Sequence, residues 1–162
     1  MTLPRLFAVA VLALSPGLSA HASGKKGETS GLSFHVQAEE TDNPKLVFPQ
    51  ETAGKRVFYR RSPEVITKDI AAFNPFPSQD GEGFGVVLQL TPNAKSRFAA
   101  ISNSSVNRWM VAMVNGRIVD AVIIDKEVND GYLVIWKGIG AAEIDAFDQK
   151  VPRFGEKKPR KK

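Results

Sequence analysis

The chain has 162 residues, 43% of them hydrophobic and 24% charged, with 13 glycines, 10 prolines and no cysteine. That composition belongs to a globular protein and excludes collagen, coiled coil and disorder throughout; the missing thiols exclude disulfides and thiolate metal sites. The formal charge of +5 is uneven: from Ser30 to Gly155, 14 Lys and Arg stand against 15 Asp and Glu, so the excess sits at the ends.

Residues 1–22 carry one positive charge at Arg5, an apolar or small-residue run from Leu6 to Leu18, and then Ala20-His21-Ala22. This pattern predicts an export leader cleaved after Ala22 and an extracytoplasmic location in the bacterial periplasm or outside the cell. The apolar run is shorter than the ~20 residues that anchor a helix in a bilayer. Cleavage removes His21 and leaves His35 as the remaining imidazole. Residues 23–31 read as a polar linker, residues 32–152 as a single domain, and residues 153–162 as an extended basic tail.

Along the domain, Leu32 to Ala38 alternates apolar and polar residues, which predicts a strand with one buried face and His35 on the solvent side with Ser33 and Gln37. Asp42-Asn43-Pro44 breaks the pattern, and Lys45–Phe48 and Arg56–Arg60 are two short strand candidates separated by Pro49 and Gly54. Val65–Phe73 reads as a short helix capped by Thr67, with Ile70 and Phe73 three apart on one face. Asn74–Gly85, with its prolines, glycines and Asp80-Gly81, reads as a loop. Phe76 within it either anchors the loop or is open to a partner.

Val86–Leu90 predicts a buried strand. Thr91-Pro92 then supplies a cap and a first-turn proline for a helix with Ala94, Phe98 and Ile101 on one face. Asn115-Gly116 between Trp109–Val114 and Arg117–Asp125 is the pattern of a type I′ hairpin. Another strand follows over Tyr132–Trp136, then a helix with Ile144, Phe147 and Val151 on one face, ended by Pro152. These elements predict an α+β two-layer sandwich: a mixed or antiparallel sheet with two main helices on one face. The first hairpin strand is apolar on both sides, Trp109, Val111 and Met113 against Met110, Ala112 and Val114. It is either central and covered twice or an apolar patch for a partner.

Catalytic patterns are sparse. Gly81-Glu82-Gly83-Phe84-Gly85 precedes a strand instead of joining one to a helix, so it is not a phosphate loop. Gly-x-Ser-x-Gly is absent, and His35 is far along the chain from the acids of residues 120–130. Asp120, Asp125, Glu127 and Asp130 could in principle serve hydrolysis or hold calcium, but acids in turns are ordinarily solvated. No motif calls for a cofactor. The expectation is a non-enzymatic binding module. Its weaker candidate contacts are Phe76, Trp109 and the tail cations Lys157, Lys158, Arg160, Lys161 and Lys162, the last five suited to anionic lipid or cell wall. Nucleic acid is not expected, since no aromatic residues interleave those charges.

Phe58-Tyr59-Arg60-Arg61-Ser62-Pro63-Glu64-Val65-Ile66-Thr67-Lys68-Asp69-Ile70 resembles the segment opening the head subdomain of the first periplasmic domain of SecD. The likeness continues through Gly85–Leu90, Ala94–Ala99, Met110–Ala121 and the final helix near Ala141. Asn115-Gly116 stands where SecD has Asp-Gly, and Val122 where it has Pro. The resemblance spans about residues 56–151 and implies a free-standing head-type domain that contacts polypeptide or another envelope protein. Assistance to the translocon is the alternative it leaves open. Motor activity does not carry over, because SecD's conducting acids lie in membrane helices.

Overall fold

The computed structural model describes residues 31–157, so the predicted leader, all of the linker but Gly31, and Lys158, Arg160, Lys161 and Lys162 lie outside the described residues. In chain order these form β1 (Leu32–Val36), β2 (Val47–Thr52), β3 (Lys55–Arg60), β4 (Val65–Ile66), β5 (Ile70–Pro77), β6 (Phe84–Leu90), α1 (Pro92–Ser104), β7 (Trp109–Val114), β8 (Arg117–Ile123), β9 (Tyr132–Ile139) and α2 (Ala141–Asp148). The fold is α+β, as expected, with the strands in three antiparallel sheets ordered β4-β1-β7-β8, β2-β3 and β5-β6-β9. Among the described residues no helix is long and apolar enough to cross a membrane.

Period-two patterning builds the main core. Phe34 and Val36 of β1, Met110 and Ala112 of β7, and Leu88 and Ile135 of the third sheet pack with Ala94 and Phe98 of α1 and Ile144 and Phe147 of α2. Both helices thus feed one core. Thr91 caps α1 by accepting from the Ala94 amide at 3.4 Å, with Pro92 in the first turn. The Asn115-Gly116 turn has positive φ at both residues, 52° and 79°, as a type I′ turn requires.

Four expectations are corrected. Residues 65–73 are not a helix: Thr67–Asp69 makes one 3-10 turn between β4 and β5. A β-bulge between Ile70 and Ala72 puts Ile70 and Phe73 opposite Leu90 and Leu88, on one face of a strand. A spacing of three therefore arises from an inserted residue and imitates helical periodicity. Residues 74–85 are not all loop, because Asn74–Pro77 completes β5 and Phe84 opens β6. Pro75 and Pro77 are tolerated because β5 is an edge strand. Pro49 lies inside β2 instead of separating strands. It pairs with Phe58 one step from the Gln50–Val57 pair, so its missing N–H is on the outward edge.

His35 is the fourth correction: it is buried, not solvent-facing. The β2–β3 hairpin roofs that side of the first sheet, setting Phe48, Val57 and Tyr59 against Val111, with Trp109 and Ile118 at the margin. The His35 ring meets Phe48 edge-on at 5.4 Å. Its Nδ1 lies 2.8 Å from the Arg60 carbonyl, which can only accept, so Nδ1 carries the proton. Nε2 then accepts from the Ser33 hydroxyl at 3.0 Å. Burial pushes the imidazole below its ordinary value, with the Arg60 hydrogen bond and the Glu64 carboxylate acting the other way.

A histidine held neutral in the folded protein takes up its proton more readily when unfolded. Stability should therefore be flat above the ordinary imidazole value of 6.5 and fall as pH drops below it. Urea titrations between pH 7.5 and 5.5 check this, and His35→Gln should flatten the slope in that window. The hairpin supplies a second expectation. Tyr59 and Thr52 are both buried and share a hydroxyl hydrogen bond of 2.8 Å. Tyr59→Phe should cost about 1–2 kcal/mol by leaving Thr52 unpaired, and adding Thr52→Val should recover most of that loss.

Candidate functional site

The third sheet has one face on the core and, among the described residues, no helix or sheet on the other. Alternation along β9 sends Leu133 and Ile135 inward, and Tyr132, Val134 and Trp136 outward. Tyr132 is 41% and Trp136 54% exposed, an unusual expense of aromatic surface to water. On β6 and β5 the same face carries Val87, Gly85, Asn74 and Phe76, fixed by the pairs Asn74↔Val87, Phe76↔Gly85 and Val87↔Val134.

Gly85 creates the geometry at one end. A Cβ there would sit 2.3 Å from the Phe76 ring and 2.7 Å from the Ile135 carbonyl oxygen. Its absence lets the Phe76 ring lie across β6 and meet Trp136 edge-on at 6.1 Å. Asp120 of β8 accepts from the Trp136 amide at 2.8 Å through Oδ2 and from the Ala121 amide at 2.9 Å through Oδ1. That carboxylate pins the β9 backbone beneath the indole.

The other end is built by the segment after α2. The Phe73 amide donates to the Pro152 carbonyl at 3.0 Å, and the Phe154 amide to the Phe73 carbonyl at 3.1 Å. Arg153 pairs with Asp148 and stacks its guanidinium 4.6 Å over the Phe73 ring. Phe154 is thereby set edge-on against Tyr132 at 6.2 Å. Tyr132 and Trp136 are four residues apart on one strand, about 13 Å. Two aromatic pairs therefore bracket a strip floored by Val87, Val134 and Asn74, long enough for about four residues of extended chain.

Of the residues singled out from sequence, Phe76 belongs to this strip. Trp109 does not: it is half-buried beside the hairpin, and its amide donates to the Gln37 side chain at 3.0 Å. Lys157 is exposed three positions beyond Phe154, and Lys158, Arg160, Lys161 and Lys162 are outside the described residues. Sequence reasoning missed Tyr132, Trp136 and Phe154. The alternation Tyr132-x-Val134-x-Trp136 within a strand whose other face is also apolar was the available sign. The acids do not converge. Asp120 is engaged as above, Asp130 accepts from the Tyr132 amide at 2.9 Å, and Asp125 and Glu127 are exposed. Among the described residues no group of three or more His, Cys, Asp or Glu is placed to hold a metal ion. What the strip offers chemically is stacking and apolar contact.

No protein-family model matches the chain, and no curated protein does. Solved structures do. SecDF, a membrane component that enhances protein export, superposes with a TM-score of 0.53 at 18% identity, over 76% of this chain and 63% of that one. SecDF in its super-membrane-facing form superposes with a TM-score of 0.49 at 16% identity, over 76% of this chain and 18% of that one. This chain thus spans about 63% of the length of the first, and at such identity the likeness concerns the path of the backbone. The chain has a SecDF-like fold.

Proposed function

We propose that this chain is an exported, non-catalytic domain of protein export that holds unfolded polypeptide in extended form on the outer face of the β5–β6–β9 sheet. One observation carries the reading: two exposed aromatic pairs, Phe76–Trp136 and Tyr132–Phe154, bracket an apolar strip on a sheet face that no described helix or sheet covers. Stacking and apolar contact tolerate many sequences, which suits a surface that meets passing polypeptide rather than one fixed ligand. The SecDF-like fold agrees with an export setting, and the leader pattern of residues 1–22 with a site of action beyond the cytoplasmic membrane.

Two measurements test this. A fluorescein-labelled, reduced and carboxymethylated secretory polypeptide should bind the folded chain with micromolar affinity, read by anisotropy. Replacing Trp136 and Phe76 together by Ser should weaken that binding about 30-fold, in line with two aromatic contacts of about 1 kcal/mol each. Trp109→Phe should leave it unchanged; equal affinity of the double variant and the parent would remove the strip from the function. Expressed with its leader in a bacterium, the protein should be recovered from the periplasm or medium with Ser23 as its first residue by N-terminal sequencing. An intact Met1 on cytoplasmic protein would dispose of the exported setting.

A further inference from the structure

An unfolded polypeptide laid on the aromatic strip carries an N–H and a C=O at nearly every residue. Each of these costs free energy when it leaves water without a partner. The edges of the third sheet do not meet that need. Along β5 the outward edge groups belong to Phe73, Pro75 and Pro77; Phe73 is engaged by Pro152 and Phe154, and the prolines have no N–H. Along β9 the outward amides of Tyr132 and Trp136 are taken by Asp130 and Asp120. Addition of a strand at either edge is thereby opposed.

The face of the sheet is different. Its outward residues are every second one from Ala72 to Phe76, from Gly85 to Gln89 and from Tyr132 to Trp136, and none carries a formal charge. The Tyr132 hydroxyl and the Trp136 indole N–H stand at the two ends. Between them the polar groups are two primary amides. Asn74 is exposed and level with Val87 and Val134; Gln89 is half-buried and level with Ala72 and Tyr132. Neither side-chain amide has a hydrogen-bond partner among the described residues. No buried polar side-chain atom among them lacks a partner, so the Gln89 amide is open to water. The two amides are one two-residue step apart along the strands, about 6.7 Å. An extended chain repeats at the same step, because residue i turns its N–H and C=O to one side and residue i+2 does so again.

We propose that Asn74 and Gln89 hold the polypeptide by its main chain, each side-chain amide donating to the carbonyl and accepting from the N–H of one residue, at positions i and i+2 of the bound segment. This rests on the strip being a polypeptide site and adds what it recognises there, the peptide group common to all sequences. Hydrogen-bonding chemistry selects the occupant. A primary amide matches a peptide unit donor for acceptor, and an unfolded chain is the partner with peptide groups to spare. A second copy of the chain laid face to face would bring side chains to these amides, its main chain being already paired within its own sheets. An anionic ligand would meet no cation among these outward residues.

The test uses the full chain, a fluorescein-labelled octapeptide alternating Val and Ser, and its all-ester counterpart, which has no main-chain N–H, read by anisotropy. Asn74→Leu combined with Gln89→Met keeps side-chain size and makes the face more apolar, so apolar contact alone would bind the octapeptide as tightly or more tightly. Main-chain holding instead requires binding about 30-fold weaker, about 5-fold for each amide, the ordinary effect of a lost hydrogen bond. The parent should bind the all-ester peptide about 5-fold or more weaker than the octapeptide, and the double variant should no longer distinguish the two. Unchanged or tighter octapeptide binding by the double variant, or equal binding of the two peptides by the parent, would overturn the proposal. If the Trp136 and Phe76 variant still lost affinity, the strip would remain a polypeptide site held by stacking. No binding by the parent, or a dimer in solution that buries the strip, would overturn both.

Discussion

Strand β7 has no solvent face, and the rest of the molecule is arranged around that constraint. Met110, Ala112 and Val114 point into the core shared with both helices, while Val111 points the other way, with Trp109 partly buried beside it. A strand apolar on both sides is ordinarily central and covered twice, and β7 is. The helices and the third sheet supply one cover. Residues 47–60 supply the other, setting Phe48, Val57 and Tyr59 against Val111.

That second cover is a two-stranded ribbon, which by itself is marginal in water. It is tied down where it crosses the first sheet. The Gln37 amide donates to the Trp109 carbonyl and the Ala38 amide to the Phe58 carbonyl, each at 2.8 Å, carrying the end of β1 past both β7 and β3. His35 joins the Arg60 carbonyl to Ser33. Outside, Arg60 gathers Asp42 at 3.0 Å and Glu39 at 3.4 Å, and Arg108 joins Glu39 at 3.0 Å. Such half-exposed pairs add little individually; they orient the loop between β1 and β2 more than they stabilise it. The buried Tyr59 and Val57 side chains, with the partly buried Phe48, carry the attachment.

Among the described residues, the large apolar side chains left most open to water lie on the outside of the third sheet, on and beside the hairpin, and at Ile123 where β8 ends. These surfaces differ in character. The sheet face is aromatic and shaped by a glycine that lets one ring reach another, whereas on the hairpin Phe58 stands by itself with Arg56 over its ring. The first offers stacking along the length of a strand, whereas the second offers a single ring.

Much of the fold was legible in the residues. Thr91-Pro92, Asn115-Gly116 and the alternation of β1, β6, β7 and β9 depend on local dihedral preference and a fixed side-chain period, which neighbours in sequence supply. The 70–73 segment misled because a bulge shifts a period of two to a spacing of three. Edge position, which excuses Pro49, Pro75 and Pro77, is a property of strand order and cannot be read from a strand's own residues. For the candidate site, Phe76 was visible as an aromatic between prolines, but its partner Trp136 is 60 positions away and meets it only because Gly85 of an intervening strand has no side chain. His35 went the same way, since local alternation said polar face and a hairpin from elsewhere covered it. What the sequence determined alone was which residues needed burial and where the chain turned. Only the tertiary structure decided which faces were covered, because burial of a face depends on what long-range packing sets against it.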